Sequence, residues 1–82
     1  MTYFVYMLKC VSCIKKLTYV GYTNNLVKRL KLHNSSKGAK FTRGKKWVII
    51  YKKKFISKSK AMSYEYLLKN DKKKRLYLYN KS

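Results

Sequence analysis

The sequence predicts an α/β domain, residues 1–82 as one unit, in which a three-stranded, mainly antiparallel sheet is flanked by helices. Three observations predict it. Residues 3–9 are apolar, aromatic and β-branched on both faces, the pattern of a central buried strand. Two further short runs, "LTYVGY" at 17–22 and "WVIIY" at 47–51, have the β-branched and aromatic make-up of strands. Two later segments carry apolar residues at helical spacing behind a capping residue. A chain of 82 residues buries only about 60% of its unfolded surface, so the core is small and interior polar groups are informative.

In chain order, residues 3–9 and 17–22 are expected to pair as an antiparallel hairpin with "VSCI" as the loop. That register sets Leu8 opposite Leu17 and Tyr6 opposite Tyr19, and directly opposed residues share a face of the sheet. Thr23 or Asn24 caps a helix running to about residue 34. Leu26, Val27 and Leu30 form its buried stripe, while Arg29 and His33, one turn apart, occupy the stripe's edge. The loop "NSSKGAKFTRGKK" then leads to the third strand, which continues to Phe55. Ser57 or Ser59 caps a second helix over residues 58–70 with Ala61, Tyr64 and Leu68 facing inward. Glu65 falls angularly within that buried arc, where a carboxylate is costly unless paired, hydrogen-bonded or bound to a cation. The last dozen residues fit either a short helix capped by Asp71 or a frayed tail.

Charge narrows the function. Lys and Arg number 22 against two acids, Glu65 and Asp71, for a net charge of +20. The partner expected is a polyanion, and nucleic acid fits best, since cationic side chains release condensed counterions from phosphates. An anionic membrane is a poorer match because no segment is a basic amphipathic helix with a large aliphatic face. All the cations but Arg29, Arg43 and Arg75 are lysines, which contact phosphate without reading bases. "YFVYML" is too short for a signal peptide or a membrane span and lacks a preceding basic region. The expected location is therefore intracellular, cytoplasmic or nucleoid-associated, or nuclear in a eukaryotic or viral setting. Cys10 and Cys13 form a single C-x-x-C pair, and with His33 the only other soft ligand a closed zinc site lacks its fourth. Reduced thiols in the hairpin turn are the expectation.

Phosphodiester hydrolysis needs a base for water, a cation on the phosphate and a metal to hold charge on the leaving oxygen. The strands and helices supply two tyrosines, an Arg and a His from one helix turn, and a Glu from another helix. In that context "FVY" at 4–6, "YVG" at 19–21, "VKRLKLHN" at 27–34, "KGAKFTRG" at 37–44 and the helix bearing "SYEYLLK" resemble the GIY-YIG nuclease superfamily. The resemblance is to its small single-domain bacterial branch, similar also to the nuclease domain of branched-DNA structure-specific endonucleases, and covers nearly the whole chain.

The resemblance implies the following roles. Tyr6 is the general base for the attacking water, Tyr19 binds or orients the scissile phosphate, and Arg29 binds it. His33 sits where a His or Tyr contacts the catalytic tyrosine, accepting its proton or orienting its hydroxyl. Glu65 is the single metal-binding carboxylate, holding one weakly bound Mg²⁺ or Mn²⁺ largely through water. Lys40, Thr42 and Arg43 read as nucleic-acid-contacting loop residues. Arg29, the lysines and the ion would all favour the Tyr6 phenolate, so an alkaline activity optimum is expected. Phe4 replaces the glycine of the first triplet, Tyr22 stands where excision-repair members have Lys, and the family's later Asn has no clear counterpart, Asn70 and Asn80 being five and fifteen residues beyond Glu65. The function implied is a divalent-metal-dependent DNA endonuclease acting on branched or flapped DNA. The alternative is a catalytically inactive basic module that binds nucleic acid through charge and stacking tyrosines.

Overall fold

The computed structural model describes Met1 to Ser82. Strands β1 (Tyr3–Cys10), β2 (Thr18–Thr23) and β3 (Trp47–Phe55) form one antiparallel sheet in the order β2-β1-β3. The helices are α1 (Leu26–Asn34), α2 (Lys58–Lys69) and α3 (Lys72–Lys81), with a single 3₁₀ turn at Lys40–Thr42 in the loop before β3. The all-apolar run is the central strand, as its two-sided hydrophobicity requires.

Both faces of β1 are covered, and they are covered differently. Val5 and Met7 join Val20, Ala61 and Leu68 in one cluster, closed by Tyr22, Tyr51, Phe55 and Tyr64. Tyr6, Leu8 and Cys10 join Trp47 in a second cluster beneath α1, closed by Tyr19, Leu26, Leu30 and Ile49. Strand β3 serves both layers through a bulge opposite Met7 and Leu8: Tyr51 pairs with Met7 but Ile49 with Leu8, so Ile50 is the extra residue. Without that insertion Tyr51 would share a face with Ile49 and Trp47.

The hairpin register differs from expectation by two residues. Tyr6 lies opposite Gly21, and Leu8 opposite Tyr19. The loop takes up Val11 to Leu17 rather than four residues, closed by the Cys10 amide donating to the Leu17 carbonyl at 3.0 Å. A slip of two keeps every side chain on its face, so Tyr6 and Tyr19 still share one, now as diagonal neighbours with ring centroids 6.4 Å apart. The cysteines are not free thiols: Cys10 and Cys13 form a disulfide. The turn returns Cys13 to within 5.7 Å of Cys10 between α-carbons, inside the span a bridge requires.

Helix α1 starts one residue later than expected, with Asn25 as N-cap accepting from the Lys28 amide. Val27 is 68% exposed and does not belong to the buried stripe. The buried residue of the helix is His33, which sequence periodicity put at the edge. The side chain of Asn34 fastens the C-terminal end of α1 to β3: its carboxamide donates to the Trp47 carbonyl at 3.1 Å and accepts from the Trp47 amide at 2.6 Å. Ser57 caps α2 and Asp71 caps α3, each through a backbone amide three residues on. The final residues are helical rather than frayed. No helix is long and apolar enough to cross a membrane.

Candidate active site

The site is built where α1 lies over β1 and β3, with Tyr19 of β2 beside it. Tyr6 is buried on the central strand, 2% exposed, and its hydroxyl points at the wholly buried imidazole of His33, with Oη and Nε2 2.9 Å apart. On the other side of that ring, His33 Nδ1 lies 2.9 Å from Thr42 Oγ1. Thr42 gives its own hydroxyl proton to the Ala39 carbonyl at 2.8 Å. A hydroxyl has one proton, so toward His33 the Thr42 oxygen is an acceptor. Nδ1 therefore carries the imidazole's hydrogen, and in the neutral ring Nε2 is left as an acceptor. The hydrogen-bond chain has one direction: Tyr6 donates to His33, His33 donates to Thr42, and Thr42 donates to Ala39.

Electrostatics agrees with a neutral imidazole. Burial, and then the charge of Arg29, push the His33 pKa from 6.5 down to about 4. Arg29 comes from the turn of α1 before His33 and donates from Nε to Tyr6 Oη at 3.4 Å. That contact with Tyr6 is the main reason the arginine's own pKa is raised, with Tyr19 adding to it. The expectation for Tyr6 needs correction. Burial raises its pKa above 10, outweighing the lowering effect of Arg29, and the charges of Tyr19 and Glu65 push it further the same way. The phenolate is thus not a resting species, and the phenol needs an acceptor for its proton at the moment it is used. Nε2 of His33 is such an acceptor.

Two glycines make room for this pair. A Cβ on Gly21 would fall 2.6 Å from Tyr6 Oη and 2.8 Å from its Cζ, and a Cβ on Gly38 2.5 Å from His33 Nδ1 and 3.0 Å from the His33 α-carbon. The group that approaches Gly21 is the Tyr6 ring. Tyr19 packs against the other face of the site, its ring centroid 4.9 Å from that of His33.

The loop residues divide. Lys40 and Arg43 are exposed, free to meet a phosphate. Thr42, grouped with them from the sequence, is wholly buried, and its hydroxyl meets His33 rather than the surface. The sequence did not signal that role: His33 read as a helix-edge residue, and Ser35, Ser36 and Thr42 are all hydroxyls of the same loop. Phe41, which the sequence did not single out, is 47% exposed and stacks on Tyr19 at 6.4 Å and 21°. It caps the cleft from the loop side. Trp47 locks the loop below by donating from Nε1 to the Thr42 carbonyl at 3.1 Å.

Glu65 comes from the opposite layer. Helix α2 packs on the Val5–Met7 face, yet its C-terminal half reaches the edge of β2, where Lys69 lines a cleft of about 250 Å³ together with Tyr19, Val20 and Phe41. Glu65 pairs with Lys69 at 3.6 Å, and its charge is felt at Tyr6. The carboxylate lies in the arc its helical angle indicated and is mostly covered, with 19% of its side chain exposed. No cluster of three His, Cys, Asp or Glu side chains is present to hold a metal by protein ligands alone. A lone, partly exposed carboxylate paired with Lys69 of the basic cleft fits only an ion that keeps several waters and shares the substrate's phosphate oxygens, which is the way Mg²⁺ binds in phosphate chemistry.

Comparison with known proteins bears on the family and the fold. A family model described as the GIY-YIG catalytic domain matches residues 2–80. The chain is similar to the UPF0213 protein OB0043 of Oceanobacillus iheyensis, 48% identical over 68 residues, covering 82% of this chain and 76% of that protein. It is also similar to the UPF0213 protein YazA of Bacillus subtilis, 43% identical over 82 residues, covering 96% and 80% respectively. The solution NMR structure of the UPF0213 protein BH0048 of Bacillus halodurans superposes with a TM-score of 0.56 at 38% identity, over 95% of this chain and 82% of that one.

Proposed function

The chain belongs to the GIY-YIG catalytic domain family, a family of nucleases, and from that premise we propose that it is a divalent-metal-dependent DNA endonuclease selecting substrates by shape and charge. The observation that carries the reading is the directed chain from Tyr6 through His33 to Thr42, with Arg29 on the same phenol oxygen. A phenol that served packing alone has no need of a buried neutral imidazole, itself held in one tautomer, as acceptor for its proton. The sheet places Tyr6 and Tyr19 on one face, and α1 brings the guanidinium and the imidazole to it.

In the proposed reaction Arg29 and the Tyr19 hydroxyl hold the scissile phosphate beside Tyr6. Water attacks phosphorus; as the new P–O bond forms and the P–O bond to the leaving sugar oxygen breaks, Tyr6 Oη takes a proton from the water and passes its own to His33 Nε2. Thr42 holds the Nδ1–H of the imidazolium that results, and the nearby Arg29 charge makes that cation short-lived, which returns the proton and resets the site. Glu65 is the residue that would hold the ion, whose chemistry is charge stabilisation at the leaving oxygen. The net charge of +20 supplies affinity without sequence readout, which favours branched or flapped DNA over a long recognition sequence.

The burial of Tyr6 and its raised pKa favour a second reading, a binding module without catalysis. Incubation with flapped, branched and linear DNA in Mg²⁺, Mn²⁺ or chelator, beside Glu65→Gln, separates the two. The nuclease reading expects metal-dependent nicking that is lost in the variant while binding persists. Tight binding with no nicking in any condition contradicts it.

A further inference from the structure

In a chain that meets nearly every need for positive charge with lysine, three arginines stand out. Arg29 faces Tyr6, and Arg43 lies in the loop. Arg75, on α3, has no part in the site so far. Its Nε is buried and has no hydrogen-bond partner. Neither acidic side chain of the protein answers it: Glu65 is paired with Lys69, and Asp71 caps α3 at the Lys74 amide. A partly buried guanidinium without an anion is unfavourable on its own.

The surroundings are cationic as well. Arg75, Lys16, Lys72, Thr18, Leu76 and Tyr79 line an open pocket of about 140 Å³ between the hairpin loop and α3. The Tyr79 ring holds the ammonium groups of Lys9 and Lys16 at 5.0 and 5.7 Å from its centre, a cation–π arrangement that fixes positive charge at the pocket rim. On its other side Arg75 lines the cleft that contains Tyr19, Phe41 and Lys69. Thr18 borders both spaces and is the residue before Tyr19. The two are therefore consecutive along β2, an edge strand with no further strand beyond it.

We propose that this pocket is a second phosphate subsite, in which Arg75, Lys16 and Lys72 hold a neighbouring phosphate of the strand whose scissile phosphate lies at Tyr19 and Arg29. The inference rests on the nucleic-acid reading above and adds to it the path of the strand, which runs along the β2 edge from the catalytic tyrosines toward α3. A guanidinium fork binds phosphate through two parallel hydrogen bonds, which explains arginine here where lysine serves elsewhere. Phe41, 47% exposed in the cleft that Tyr19 and Arg75 also line, offers apolar surface to the intervening base.

The test is a fluorescence-anisotropy titration of a labelled single-stranded oligonucleotide in chelator, so that cutting plays no part, at several salt concentrations. Arg75→Gln and Lys16→Gln are compared with Lys54→Gln, a charge-matched control at an exposed position of β3, the opposite sheet edge. Lys16 lies in an exposed loop, so its variant reports even where Arg75→Gln fails to fold. Each of the two subsite variants is expected to weaken binding by about tenfold and to reduce the slope of log K against log salt by roughly 0.7 to 1. Lys54→Gln is expected to change both far less. Subsite variants that behave like Lys54→Gln while the unmodified protein binds well overturn the subsite alone. An unmodified protein that binds no oligonucleotide overturns the nucleic-acid reading and the subsite with it.

Discussion

Gly21 lies directly across the hairpin from Tyr6, and the space a side chain would take there is filled by the Tyr6 hydroxyl, 2.6 Å from where a Cβ would sit. The missing atom on β2 is thus part of how the phenol reaches His33. Alanine at Gly21 meets Tyr6 Oη and Cζ together, so the ring has to move. Gly21→Ala is expected to cost about 1–3 kcal/mol of stability, as overpacking does, and to reduce cutting further than that loss explains. Urea denaturation beside a nicking assay checks both. Gly38→Ala, which presses on the backbone and ring of His33, belongs to the same class.

Thr42→Val keeps the shape of the side chain but removes the acceptor for His33 Nδ1–H. It leaves a buried donor unsatisfied, at a cost of about 1–3 kcal/mol, and frees the imidazole to adopt the other tautomer. The expected outcome is a fall in kcat with little change in KM, since Thr42 is buried away from substrate. A variant that raises KM and leaves kcat alone would return Thr42 to the phosphate-contacting role read from the sequence.

His33 also makes stability depend on pH, and the sign is fixed. Its folded pKa is about 4, below the unfolded 6.5, so in that interval the unfolded chain binds more protons than the folded one. The stabilisation is complete above 6.5 and is lost as pH falls toward and through 4. Denaturation midpoints between pH 7 and 4 are expected to drop for the unmodified protein and to drop less for His33→Gln. Parallel pH profiles for the two would show that His33 is not the titrating group.

The disulfide closes a loop between residues only three apart in sequence. In the chain-entropy account so short a loop contributes about 2 kcal/mol or less. Cys13→Ser is expected to lower stability by that amount, read by denaturant unfolding, and to leave nucleic-acid affinity unchanged.

The strands and helices were legible because they rest on local signals. The two-sided apolar run marked the central strand, and Ser57 and Asp71 stood at their helix starts as side-chain acceptors. Features set by long-range packing were less visible. The hairpin register depends on the Tyr6 ring needing an opposite position without a side chain, which four-residue loop counting cannot reveal. His33 read as a helix-edge residue because periodicity places polar side chains outward; only Gly38 and Thr42, brought in by the loop, make a buried site for it. Glu65, read within the buried arc of α2 between Ala61 and Leu68, is mostly covered there, with 19% of its side chain exposed. Tyr6, Tyr19, Arg29 and His33 were named from sequence and converge in space. The direction of the proton chain could come only from the partner of Thr42.

The central claim is that the Tyr6 oxygen handles the proton of the attacking water, and replacing Tyr6 by Phe tests it most directly, since the ring and its packing stay while the oxygen goes. The measurement is the single-turnover rate of metal-dependent DNA nicking by Tyr6→Phe, at protein concentrations above the Kd of both proteins. Loss of a positioned base predicts a rate lower by about 10²–10⁴ with affinity for DNA unchanged. A Tyr6→Phe protein that nicks at the unmodified rate would contradict the account.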